Sequence, residues 1–241
     1  MSKETIQAYD LPARVSSYDA DMALMHPNRS RMVDIALEVV PFDAKAAFTV
    51  LDLGAGTGFF TQAVLRRFPN CRVIAVDGAA SMVDLAKTRL GAEASRVEFR
   101  VGDFRELSRL IPNEHGEFIF SSYALHHLTP EEKTGVIRDA LSFLKPGGWF
   151  LNADVVTAGH ERTEARIQDV RIQGIVQRAS GRDERFPDAV SVRTFLDDLE
   201  ARDHDKPLPV TEELRILKQG GLASATVFWL EYREAVTGGV T

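Results

Sequence analysis

Short apolar runs alternate along this chain with stretches in which hydrophobic residues recur every three or four positions. The first pattern suits a strand buried on both faces and the second an amphipathic helix. Their alternation predicts an α/β fold, a mostly parallel sheet covered by helices. Strands are predicted at Thr49–Leu53, Arg72–Asp77, Val97–Val101, Phe118–Ser121 and Trp149–Asp154, with helices near Ser30–Val40, Phe59–Phe68, Ser81–Leu90 and Pro130–Leu144. The last helix has the clearest end signals. Thr129 and Glu132 form a capping box, Pro130 takes the first helical position, and Lys145-Pro146-Gly147-Gly148 is expected to stop it. From His160 to about Lys206 the chain becomes charge-dense and reads as two helices broken at Ser180-Gly181-Arg182-Asp183. A helix at Thr211–Gln219, a Gly220-Gly221 stop and a strand pair at Ala225–Glu231 and Arg233–Thr237 follow. One domain over 1–241 is expected: a helical segment (1–45), a core (46–156), a helical cap insertion (157–208), then a terminal helix and strand pair (209–241).

The junction after the first strand carries the most chemistry. Asp52-Leu53-Gly54-Ala55-Gly56-Thr57-Gly58 places glycine at every second position just before a helix. Glycines let a main chain approach a ligand closely, and a helix N-terminus offers free N–H groups and positive dipole, so a small anionic group is expected here. The dinucleotide fingerprint would need a glycine at position 59, which is Phe59, and the phosphate loop of nucleotide hydrolases needs a lysine, of which there is none from 46 to 86. Asp77, followed by Gly78, ends the second strand, where a carboxylate can accept from both ribose hydroxyls. Asp103 ends the third; it can accept from an exocyclic amine while Phe104 packs on the ring. At the fourth strand's end stands Ser121-Ser122-Tyr123-Ala124-Leu125-His126-His127. His126 is the candidate general base, because imidazole titrates near neutral pH. Paired histidines raise a metal site, but no Cys, Asp or Glu lies at ligand spacing nearby, so no metal is expected.

Composition narrows the partners. With 241 residues, 44% hydrophobic and 27% charged, the chain suits one large core; its net charge of −6 offers no general attraction to nucleic acid or anionic lipid. The cap is nearly neutral, with nine Lys or Arg against eleven Asp or Glu over 160–206. Cys71 is the single cysteine, which excludes an intrachain disulfide and suits a reducing compartment. Met1–Asp10 has no signal-peptide core and no run approaches membrane-spanning length. A cytoplasmic location is expected, with a small-molecule substrate, no membrane or nucleic-acid partner, and self-association as a homodimer as the one protein partner considered.

Asp52-Leu-Gly-Ala-Gly-Thr-Gly58, Val76-Asp77, Gly102-Asp103, Leu125-His-His-Leu128 and Leu144-Lys-Pro-Gly-Gly148 resemble, in order and spacing, the motifs of class I S-adenosylmethionine-dependent methyltransferases. That resemblance implies a Rossmann-like seven-stranded sheet with an antiparallel last strand. It also implies S-adenosyl-L-methionine as cofactor, held by Asp52, Gly54, Ala55, Gly56, Asp77, Gly78, Asp103 and Phe104. The Tyr-Asp and proline region before the Ser30–Val40 helix, and the charged segment before the last, are similar to the branch that makes carboxy-S-adenosylmethionine for transfer-RNA modification. On that likeness Arg29 and Ser122 would contact the cofactor and Arg193 would hold the extra carboxylate. Arg29 stands where that branch has an aromatic residue and His126 replaces an amide, so shared ancestry is read here, not shared activity. Tyr123 and Arg193 are placed on the acceptor side, and the other cap arginines, such as Arg166 and Arg171, are expected to face solvent. The expected reaction is methyl transfer to an oxygen or nitrogen of a small molecule, assisted by His126. A carboxy-S-adenosylmethionine activity and a module that binds the cofactor without turnover are the alternatives.

Overall fold

The computed structural model describes residues 3–241. Among the described residues, ten α-helices and seven strands run in the order α1 (Lys3–Tyr9), α2 (Pro12–Met25), α3 (Arg29–Val39), β1 (Thr49–Leu53), α4 (Phe59–Arg67), β2 (Arg72–Asp77), α5 (Ala80–Leu90), β3 (Val97–Val101), α6 (Leu107–Leu110), β4 (Gly116–Ser122), α7 (Pro130–Leu141), β5 (Leu144–Val155), α8 (Glu161–Ala179), α9 (Ala189–Asp203), α10 (Val210–Gly220), β6 (Thr226–Glu231) and β7 (Glu234–Val240). The seven strands form one sheet in the order β3-β2-β1-β4-β5-β7-β6. Strands β1 to β5 pair in parallel, β6 points the same way, and β7 alone runs antiparallel, between β5 and β6.

Alternate residues of each strand point to opposite faces, and the two faces bury separate clusters. Val50, Phe118 and Phe120 pack with Met32, Phe60 and Val64 of α3 and α4. Leu51, Leu53, Ile74 and Ile119 pack on the other face with Val136, Ile137 and Ile216 of α7 and α10. A third cluster joins Met25 to Ile172, Ile175, Val192 and Leu196, so the α8–α9 cap has its own core resting on α2. Because β1 lies between β2 and β4, the chain reverses its winding direction there. The carboxyl ends of those three strands therefore meet in one crevice, the usual ligand position in open α/β sheets.

Two departures from the sequence reading affect the site. Lys145-Pro146-Gly147-Gly148 belongs to the start of β5, and α7 stops at Leu141. The Phe143 carbonyl accepts from Gly116 N (2.9 Å), so pairing with β4 claims the backbone before the helix can continue. The segment before Ser30 forms two helices, α1 and α2, and these lie across the strand ends. Ile6 of α1 sits so close over Gly78 that a Cβ there would come within 2.8 Å of Ile6 Cγ1. Asp10 Oδ1 accepts from Ser81 N at the start of α5 (2.8 Å).

Candidate functional site

The β1–α4 loop turns back on its neighbour. Gly54 N and Ala55 N both donate to the Val76 carbonyl (2.8 and 3.1 Å), Gly58 N donates to Ala55 O, and Gly56 N donates to Asp77 Oδ2 (2.7 Å). The expected anion nest is therefore not free: the protein's own β2 end takes these N–H groups. Gly54 and Gly56 both have left-handed backbone angles (φ +75° and +52°), which disfavour side chains. A Cβ on Gly54 would lie 2.3 Å from that of Ala124, whereas one on Gly56 would meet only the Gly54 carbonyl oxygen, at 4.0 Å. Asp77 is buried, and its Oδ1 accepts from Ala79 N (2.8 Å). Burial pushes its carboxyl up from the usual value, against the pull of those two backbone donors. Each oxygen keeps a lone pair for a hydroxyl. A neutral ribose and a sulfonium fit this edge better than a phosphate does.

Gly54, Gly56, Asp77, Ser122 and Tyr123 line one cleft of about 30 Å³, with Tyr9 and Tyr18 of α1 and α2 as its roof. Several expected cofactor residues sit elsewhere. Asp52 points into the interior and accepts from Thr61 Oγ1 (2.5 Å); burial, opposed by that one hydroxyl, pushes it up to about 7. Asp103 accepts from the Arg105 side chain (2.7 and 2.9 Å), and Phe104 is buried behind Gly54. Arg29 lies 4.0 Å over the Phe59 ring and donates to Asp19 (3.1 Å), on the outer wall of the loop. Arg193 is exposed on α9 and paired with Asp169 (2.9 Å), so it does not reach the interior.

The β4 end delivers His126, 5% exposed, to a cluster that sequence spacing did not show. Asp154 at the end of β5 accepts from both His126 N (3.0 Å) and His126 Nδ1 (2.6 Å), which fixes the ring. On the other side, Asp205 Oδ1, from the segment after α9, lies 3.4 Å from His126 Nε2 and 3.0 Å from His127 Nδ1. The fold brings in this carboxylate from far along the chain, and the donor atoms of His126, His127 and Asp205 lie within 4.8 Å of one another, a grouping that local spacing did not show. Burial alone would lower the His126 pKa, but Asp154 and Asp205 together push it up to about 10. Burial and the His126 charge lower that of His127. Burial works against ionisation of Asp154 and Asp205, and the imidazolium outweighs it, holding both below the usual carboxylate value. His126 is thus a cation at neutral pH, and the expected free base is already protonated.

Two further spaces open beyond the cofactor cleft. An inner chamber of about 40 Å³ shares Tyr9, Tyr18 and Tyr123 with the cleft and is lined by Arg14, His126 and Asp205. An outer chamber of about 180 Å³ shares Val155, Arg171 and Arg233 with the inner one. Arg171, expected in solvent, is half-buried here on Glu200 (2.6 Å), which Arg233 also reaches (3.2 Å). Tyr123 donates to Glu234 (2.6 Å), which also meets His26 Nδ1 (3.0 Å), in the wall between the chambers. Arg14, Asp205 and Arg233 were missed because no local motif surrounds them; only the folded cap brings them to His126.

Residues 50–148 match the family model described as a methyltransferase domain. An uncharacterized methyltransferase of Anoxybacillus flavithermus is 35% identical over 135 residues, 56% of this chain and 60% of that protein. A carboxy-S-adenosyl-L-methionine synthase of Shewanella piezotolerans is 27% identical over 136 residues, 55% of this chain and 54% of that one. The alignments thus span little more than half of these relatives. A solved complex titled DhpI-SAM-HEP superposes with a TM-score of 0.63 at 20% identity, over 98% of this chain and 95% of that one, a likeness of fold. Over residues 50–148 the chain is thus similar to methyltransferases, and its fold is like that of the solved DhpI complex. Among the described residues, no helix is long and apolar enough to cross a membrane.

Proposed function

We propose that this chain transfers the methyl group of S-adenosyl-L-methionine to a small-molecule acceptor seated in the two chambers under the α8–α9 cap. The supporting observation is their continuity: the cofactor cleft, the inner chamber at His126 and the outer chamber share walls in that order. Gly54, Gly56, Asp77 and Ser122 would hold the cofactor, which when bound supplies an electrophilic methyl on a sulfonium. Such a displacement needs mainly alignment, worth ~7–11 kcal/mol when the reacting atoms are held in place. Asp154 fixes the His126 ring, His126 presents its Nε2 side to the inner chamber, and Tyr123 borders both the cofactor cleft and the inner chamber. The cap selects the acceptor.

Labelled methyl transfer from the cofactor to a panel of small acceptors tests this reading. His126→Gln is expected to lower kcat/KM at least tenfold on any acceptor found, with S-adenosylhomocysteine affinity changed less than twofold. Unchanged turnover would remove His126 from the reaction, and tight cofactor binding without turnover across the panel would favour a binding module. The carboxy-S-adenosylmethionine reading gains no residue from the chambers, since Arg193 lies outside them. Mass spectrometry of the co-purified ligand separates the two.

A further inference from the structure

The inner chamber contains more hydrogen-bond donors than the protein satisfies. Arg14 is 7% exposed and lines it, stacked near the Tyr9 and Tyr18 rings (5.2 and 5.3 Å). Its Nη2 donates to Asp203 (3.0 Å), but Nη1 stays 3.8 Å from Asp21, and among the described residues neither Nη1 nor Nε has an acceptor. Arg233, 8% exposed, lines the same chamber; its Nε is 3.0 Å from Glu164 but out of line for a hydrogen bond. The carboxylates around the chamber already face cations: Asp203 accepts from Arg14, Glu200 from Arg171 and Arg233, and Asp205 Oδ1 sits within ion-pair distance of the histidines (3.4 and 3.0 Å), though without an aligned donor. A buried guanidinium N–H without an acceptor is costly, and a planar fork matches a carboxylate in shape and charge. The chamber has room for little more than such a group, and the larger outer chamber beyond it can take the rest of the molecule.

Building on the methyltransferase reading above, we propose that the acceptor is a small carboxylic acid whose carboxylate, held in the inner chamber by Arg14 and Arg233, is itself the nucleophile. A carboxylate oxygen lone pair forms the new O–CH₃ bond while the C–S bond breaks, its electron pair returning to sulfur. The products are a neutral methyl ester and the neutral thioether S-adenosylhomocysteine, and no proton is released. A carboxylate is ionised at neutral pH, so no base is required, in keeping with a histidine that is already protonated.

The test uses protein loaded with S-adenosylhomocysteine and matched probes, each a small aliphatic or aromatic monocarboxylic acid and its primary amide, titrated by calorimetry. At least one acid is expected to bind tenfold or more tighter than its amide. Arg14→Gln, and Arg14→Lys with the charge kept, should each weaken that acid tenfold while S-adenosylhomocysteine affinity holds within twofold, which also verifies folding. Amides binding as well as acids, or no acid binding, would overturn the proposal. So would an Arg14 variant that weakens only S-adenosylhomocysteine, since the fork would then serve the cofactor's own carboxylate. With labelled cofactor and the acid that binds, the product should release labelled methanol on mild saponification, and a pH indicator should register no proton release. A base-stable product, or one proton per turnover, would reject the carboxylate as nucleophile. Failure of S-adenosylhomocysteine to bind at all would defeat the underlying methyltransferase reading, and this proposal with it.

Discussion

His126 shows how far a residue's chemistry can depart from its type. An imidazole in water titrates near neutrality, and burial alone would lower its pKa, yet two carboxylates, Asp154 and Asp205, raise it to about 10. The neutral His127 ring also faces it, and the buried Glu213, paired with Lys133, lies farther off. A group whose pKa is raised on folding stabilises the native state fully below its unfolded value, near 6.5, and that contribution disappears as pH rises through the folded value. The melting temperature of the protein should therefore exceed that of His126→Gln by several degrees at pH 6, at ~2–4 °C per kcal/mol for a chain of this size. The gap should close towards pH 10, as followed by scanning calorimetry without cofactor. A gap that widens with pH would mean that His126 is neutral at pH 7. Asp52 is a second acid out of its usual range, pushed up to about 7, but for the opposite reason: it is buried with one hydroxyl and no cation beside it. Its position two residues before Gly54 was legible from the motif. That it serves the β1–α4 packing through Thr61 was not, because the motif does not reveal which way a side chain points.

At the scale of elements, α1 changes the picture most. It is one short helix of seven residues, yet it covers the edge where the cofactor belongs. Ile6 presses on Gly78, Asp10 caps the start of α5 through Ser81, and Tyr9 meets His127 Nε2 at 3.3 Å. Tyr9 of this helix roofs the cleft, so cofactor exchange is expected to involve movement of α1. Few buried apolar contacts hold a helix of this length, and such elements open at low free energy. Ile6→Ala together with Asp10→Ala removes a packed side chain and a hydrogen bond, ~1–2 kcal/mol each. S-adenosylhomocysteine release, measured by stopped-flow fluorescence, should then accelerate at least tenfold, while the sheet still unfolds in one cooperative transition. An unchanged release rate would place the exit path elsewhere.

For the molecule as a whole, legibility followed periodicity. From Thr49 to Val155 strands and helices alternate with strong apolar periods, and β1, β2 and β3 match the expected bounds to the residue. The placement of Gly54, Gly56 and Asp77 at these strand ends was readable for the same reason, since a strand end is a fixed place in such a sheet. The cover and the chambers were not, because they depend on contacts between segments far apart in sequence: α2 against the cap, Arg14 against Asp203, Asp205 against His126. The cap core is separate from the two sheet clusters and contains Ile172, Ile175, Phe186, Val192 and Leu196, with Met25 of α2 as its link to the rest. A unit with its own core should open on its own. Leu196→Ala removes a side chain 2% exposed from that core and should cost ~2–5 kcal/mol locally. Amide exchange would then quicken by roughly 30-fold or more across 161–203, at a factor of ten per ~1.4 kcal/mol, while β1, β2 and β4 keep their protection. S-adenosylhomocysteine affinity should hold within about threefold, because Gly54, Gly56 and Asp77 lie at the sheet's edge, outside the cap core. If exchange instead quickened equally in the cap and the central strands, the cap and the sheet would be one cooperative unit, and acceptor entry would need a route other than cap opening.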